Sequence, residues 1–244
     1  MITRTYRIAG KVISLSTIYP DTHTLCEGYE ADAEPELSVS ISQSDIDLEK
    51  QKSDAEYIYE GKHPRNFSQG LLEQTAVYRK IAEQMPYYDT FVFHGSVVAV
   101  DGVGYLFTAK SGMGKSTHTR LWREMLGDRA VMVNDDKPMI KLTDTGAVVY
   151  GTPYNGKHHL GNNICVPLKA ICILERGEHN SITPINKSEA YPMLLQQVYR
   201  PADRAAFAMT LSLIDKLSDM TALYKLSANM EPQAAEVAYN AMKG

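Results

Sequence analysis

The stretch Ala109-Lys110-Ser111-Gly112-Met113-Gly114-Lys115-Ser116-Thr117 matches the pattern G-x-x-x-x-G-K-[ST] at every fixed position except the first, where alanine stands for glycine. Gly112 and Gly114 let backbone N–H groups turn toward a phosphate, and a helix starting near Lys115 adds its positive dipole end. Lys115 is then placed to reach the β and γ phosphates, and the Ser116 hydroxyl to hold Mg²⁺. The plainer alternative is a glycine turn that happens to precede a helix. A strand before it, a helix after it and a lysine-serine pair in register weigh against that alternative. Ser111, Gly112, Met113, Gly114, Lys115, Ser116 and Thr117 are therefore expected to form a cradle for a nucleoside triphosphate.

Upstream, Phe91-Val92-Phe93-His94 and Ser96-Val97-Val98-Ala99-Val100 are apolar runs. Asp101-Gly102-Val103-Gly104 and Tyr105-Leu106-Phe107-Thr108 follow. Two apolar runs joined by Asp-Gly predict a hairpin whose second arm runs straight into the glycine loop. Downstream, Val131-Met132-Val133-Asn134-Asp135-Asp136 predicts a strand ending in two carboxylates. Beside a phosphate loop, one could hold Mg²⁺ and the other accept a proton from an attacking hydroxyl; alone, the pair would read as a polar turn before Lys137-Pro138. His94 closes an apolar strand, where a lone histidine is usually structural. Lys157, His158 and His159 follow the turn-rich Gly151-Thr152-Pro153-Tyr154-Asn155-Gly156, which reads equally as a solvated loop or as a substrate or phosphate contact. Arg200 is a further cationic candidate, and Leu121 and Trp122 read as core residues of the helix behind the loop.

Short strands are expected between Thr5 and Ser16 and from Glu36 to Ser42, and a helix over Ser68 to Gln84. Residues 43 to 66 are charged and weakly apolar, with no element assigned. Further strands are expected at Val131 to Val133, Met139 to Leu142, Ala147 to Tyr150, Ala170 to Leu174 and Tyr224 to Leu226. Helices are expected near 115 to 126, 188 to 199, 202 to 218 and 231 to 242, with Ser188 as an N-cap and Pro201 as a separator. A boundary near residue 85 divides a small β-rich amino-terminal portion (1 to 85, ending in a helix) from a nucleotide-binding portion (86 to 244).

The 244 residues, 44% hydrophobic and 22% charged, suffice for one substantial core with a small appendage. A net charge of -4 gives no basic field for nucleic acid or an anionic membrane. No apolar run approaches the roughly 20 residues of a membrane span, and the expected location is cytoplasmic. Three cysteines without a C-x-x-C pair argue against a disulfide framework or structural zinc. The adjacent His158 and His159 lack helical metal-site spacing.

The order of His94-Gly95, the Asp101-Gly102 hairpin, Ser111-Gly112-Met113-Gly114-Lys115-Ser116 and Asp135-Asp136 resembles the catalytic domain of bacterial HPr kinase/phosphorylase. More distantly, it is similar to the nucleotide core of phosphoenolpyruvate carboxykinase. The specific likeness covers about residues 90 to 142. It implies an α/β fold whose mixed, partly antiparallel sheet carries the phosphate-binding loop, with ATP and Mg²⁺ as cofactors. Gly112, Gly114, Lys115 and Ser116 would bind phosphates and metal, Asp135 would be the base, Asp136 a metal-linked carboxylate, and His94 a neighbour of the transferred phosphate. The segment after the aspartates, Gly151 to His159, departs from the Arg-Gly-containing signature of HPr kinases. The likeness is therefore to the divergent HPr-kinase-related proteins, and the acceptor it implies is a serine of a peptide or small protein; Lys157 and His158 are the candidate substrate contacts that the residues themselves offer. The resemblance also suggests a homo-oligomer. The alternatives are a small-molecule kinase or carboxykinase relative, and a nucleotide-sensing module without turnover.

Overall fold

The computed structural model describes residues Met1–Gly244, and the chain divides into two compact units, Met1–Gln84 and Met85–Gly244. In the first, β1 (Ile2–Ile8) and β2 (Lys11–Thr17) form an antiparallel hairpin, and β3 (Leu37–Ser40) joins β2 in parallel. The hairpin turn is Ala9-Gly10, both at positive φ, the turn geometry whose twist matches that of paired strands. Three helices complete this unit: α1 (Asp21–Leu25), α2 (Gln43–Tyr59) and α3 (Gln69–Gln84).

Helix α2 corrects the sequence reading, which left residues 43 to 66 without an element because apolar positions are sparse there. Of its side chains, only Ile46 and Glu49 are buried. The helix rests instead on good helix formers and on a reciprocal capping box between Ser42 and Asp45, in which Ser42 N–H donates to Asp45 Oδ2 at 3.0 Å. Glu73 of α3 is fully buried. Its carboxylate accepts from the Ile18 and Tyr19 amides at 2.6 and 2.9 Å, satisfying two donors that follow β2.

The second unit contains β4 (Thr90–Val92), β5 (Ser96–Val100), β6 (Val103–Thr108), β7 (Ala130–Asn134), β8 (Met139–Thr143), β9 (Gly146–Tyr150), β10 (Cys165–Arg176), β11 (Ser181–Pro184) and β12 (Ala222–Ala228). Its helices are α4 (Lys115–Leu126), α5 (Lys187–Gln197), α6 (Arg204–Met220) and α7 (Gln233–Met242). The strands form a nine-stranded mixed sheet in the order β4-β8-β9-β10-β6-β5-β7, with β12 beside β10 and β11 beside β12. β10 runs parallel to β6 and β12 and antiparallel to β9. Its first residues pair with β9 and its later ones with β12, so the sheet branches and curls along this strand.

Both faces of the sheet are covered, which is why its central strands read as continuous apolar runs. Val97, Leu106 and Ile171 pack with Leu194, Leu213 and Ile214 of α5 and α6. Val98, Phe107 and Cys172 pack with Trp122 of α4 and Ala235 and Ala238 of α7. Trp122 is fully buried, in keeping with its reading as core. One cap differs from expectation. Helix α5 is capped by Asn186, whose Oδ1 accepts from Glu189 N–H at 3.1 Å while Glu189 Oε2 accepts from Asn186 N–H at 3.0 Å. Ser188 instead sits in the first turn and hydrogen-bonds to Asn186 Oδ1. No helix is long and apolar enough to cross a membrane.

The order of three strands positions everything that follows. β5 is antiparallel to both β6 and β7, so the carboxyl ends of β6 and β7 and the amino end of β5 lie at one edge of the sheet. The β5–β7 pairing also steps from Val97↔Asn134 to Val98↔Met132, leaving Val133 as the extra residue of a β-bulge.

Candidate functional site

That shared edge gathers the sequence candidates. After β6 the chain enters the loop 109 to 114. Gly112 and Gly114 have φ of 75° and 98°, backbone conformations that disfavour side chains. Gly114 is the N-cap of α4, which begins at Lys115, so the loop ends on the positive end of a twelve-residue helix. Ala109, at the position usually held by glycine, is fully buried. Lys115 Nζ donates to Ala109 O at 3.3 Å, across the loop. Ser111 and Ser116 are exposed, and Met113 and Thr117 half-buried.

β7 ends in Asn134, a buried organiser whose Oδ1 accepts from the Asp136 and Lys137 amides at 2.9 and 2.7 Å. This turn sends the two carboxylates to different partners. Asp136 Oδ1 lies 3.3 Å from His94 Nε2, and Asp136 Oδ2 lies 3.8 Å from Lys137 Nζ. Burial acts to raise the Asp136 pKa, but the His94 hydrogen bond and the charges of Lys137, His94 and Lys115 outweigh it and hold the carboxyl below its ordinary value. Burial lowers the pKa of Lys115, opposed by the charge of Asp136. Lys115, Asp136 and His94 thus form one coupled group.

Asp135 faces elsewhere. It is buried, and its Oδ1 accepts from Gly156 N–H at 2.7 Å. The approach is close, since a Cβ at Gly156 would lie 3.0 Å from Asp135 Oδ2. The loop containing Gly156 is built throughout. A Cβ at Gly151 would meet Asn162 O at 1.8 Å, and one at Gly161 would meet Asn155 Oδ1 at 1.9 Å. Asn162 fastens the far end, donating from N–H to Val133 O at 3.1 Å and from Nδ2 to Met132 O at 2.8 Å. The exposed tip is Lys157, His158, His159 and Leu160.

Sequence reasoning missed two residues. Arg176, at the end of β10, donates from Nη2 to Gly112 O at 2.9 Å and so tethers the glycine loop. Gln197, at the end of α5, accepts from His94 N–H through its backbone carbonyl at 2.6 Å, and its buried Oε1 has no hydrogen-bond partner. Neither bond carries a local sequence signal, because each joins segments far apart in the chain. Arg200 donates to Leu195 O and joins none of the groups above.

Beside the glycine loop, near the carboxyl ends of β10 and β12, lies a cavity of about 440 Å³. Met113, Leu121, Leu174 and Met230 supply its apolar lining, and Thr117 and Arg176 polar groups. Its volume is that of a small-ligand site. His118 also borders it but is buried behind the loop, where Nε2 accepts from Trp122 Nε1–H at 3.0 Å. Burial pushes the His118 pKa down to about 4, so the ring is neutral.

Among solved structures, the HPr(Ser) kinase/phosphatase from Coxiella burnetii is similar over 51% of this chain and 94% of its own, at 12% identity and a TM-score of 0.28. A search of curated proteins gave no match. The family model of ScmC, described as SynChlorMet cassette protein ScmC, matches residues 65–217, more than half of the sequence and the whole of the edge just described; the chain belongs to the ScmC family.

Proposed function

We propose that this protein is an ATP- and Mg²⁺-dependent kinase that phosphorylates a hydroxyl, a serine of a peptide or small protein. The observation that carries the reading is the convergence at one sheet edge of a helix-capped glycine loop, the coupled Lys115–Asp136–His94 group and a separately held Asp135. Phosphoryl transfer asks a protein mainly for positioning and charge stabilisation, and this set supplies both.

In this reading the amides of residues 111 to 117 and the α4 dipole cradle the phosphates, and Lys115 reaches the transferred group. The 440 Å³ cavity takes the nucleoside. Mg²⁺ is ordinarily held by one or two protein oxygens together with phosphates and water; the exposed Ser116 hydroxyl and the ionised Asp136 fit that habit, and the ion would neutralise phosphate charge. Asp135 serves the acceptor. With Oδ1 fixed by Gly156, its other oxygen takes the hydroxyl proton as the acceptor oxygen forms its bond to the γ phosphorus and the bond to the ADP oxygen breaks.

The test is calorimetry of ATP binding with Mg²⁺ present, comparing the parent with Lys115→Ala. Binding by the parent and its loss in the variant, by about 100-fold or more on the scale of charged phosphate contacts, are expected. A parent that binds neither ATP nor GTP would end the kinase reading.

Gly156→Ala gives a second, subtler check. The added methyl would press on the Asp135 carboxylate, so turnover is expected to fall by about 10-fold or more while ATP affinity stays at the parent value. Equal loss of both would show that the loop supports the whole site rather than its acceptor side.

A further inference from the structure

We infer that the tip Lys157-His158-His159 is a specificity element that reads acidic residues beside the acceptor serine; this rests on the kinase reading and names its substrate class. Gly156, whose amide holds Asp135 at 2.7 Å, is followed directly by the three residues of the tip. A bound acceptor hydroxyl at Asp135 would therefore lie within a lysine side chain's reach of it, consecutive Cα atoms being about 3.8 Å apart.

The tip is not a loose surface turn. A close backbone approach at Gly151 and close side-chain approaches at Gly156 and Gly161, with the Asn162 anchors on Met132 and Val133, set the path of the loop that displays it. At its end Lys157, His158 and His159 stand exposed to solvent, and the Lys157 ammonium makes no ion pair. In the kinase reading the nucleotide does not require Lys157, because Lys115, the helix dipole and the loop amides would serve the phosphates. An unmatched basic tip on the base side of the site fits an anionic segment of the acceptor, and charge complementarity of this kind selects partners.

The experiment uses the full chain with labelled ATP and Mg²⁺ and two pools of serine peptides, identical except that the positions flanking serine hold Asp and Glu in one and Lys and Arg in the other. The parent is expected to favour the acidic pool by about tenfold in kcat/KM, with the preference shrinking as salt is raised. Lys157→Glu with His158→Glu is expected to erase or reverse the preference while the KM for ATP and the affinity for ATP stay unchanged. Equal use of the two pools by the parent, or a preference that survives the charge reversal, would overturn the inference and leave the kinase reading standing. A parent that binds ATP but phosphorylates neither pool would overturn the inference together with the peptide-kinase reading.

Discussion

Asp135→Asn is expected to leave Mg²⁺-dependent ATP binding at the parent level and to lower turnover by about 10²–10⁴-fold, the usual contribution of a positioned general base. The asparagine carbonyl can still accept from Gly156 N–H, so the loop stays in place and only the capacity to take a proton is lost. Asp136→Asn should differ in kind. It removes the charge that couples to both His94 and Lys115, so the Mg²⁺ dependence of binding should weaken along with turnover. Calorimetry and single-turnover kinetics on the two variants separate base from metal-linked carboxylate. If Asp135→Asn weakened the Mg²⁺ dependence of binding while Asp136→Asn kept parent binding and lost only turnover, the two roles would be exchanged.

The second large effect concerns stability against acid. His118 is held neutral by burial with a pKa of about 4, against about 6.5 in an unfolded chain. Between these values the unfolded chain binds a proton that the folded one refuses, so stability falls as pH is lowered. The contribution is complete above about pH 6.5 and lost by about pH 4, about 3 kcal/mol in all and about 2 kcal/mol at pH 5. His118→Gln keeps an acceptor for Trp122 Nε1–H but cannot titrate, so urea unfolding of the variant should lose less stability between pH 7 and pH 5 than the parent does. Parallel losses would mean that His118 is already accessible to protons in the folded state.

Much of this site could be read from the chain because its chemistry is written in short contiguous segments. The loop from Ala109 to Thr117 and the strand ending in Asp135-Asp136 each bring their candidate groups together within nine residues or fewer. Strands buried on both faces announced themselves through unbroken apolar runs such as Ser96 to Val100. Helix α2 was not legible because caps and propensity, rather than an apolar stripe, hold it. The different environments of the two aspartates were also hidden: Asn134 turns the chain between them, and Gly156, twenty-one residues on from Asp135, takes one of them. The glycines at 151, 156 and 161 were visible as letters, but only the atoms that press on them, Asn162 and Val133 backbone oxygens at Gly151 and the Asp135 and Asn155 side chains at the other two, account for their presence. Arg176 and Gln197 belong to the site through single long-range bonds, which no local pattern encodes.

The bulge at Val133 bears on any attempt to transplant this chemistry. Side chains alternate across a strand, so one unmatched residue reverses the direction of everything beyond it. A host sheet given Asn134, Asp135 and Asp136 on a regular strand would aim the two acids at the wrong partners, however faithfully the letters were copied. The portable unit is the offset together with the motif: the extra residue must travel with the carboxylates, and deleting it should silence the centre while leaving each of its functional groups in the chain.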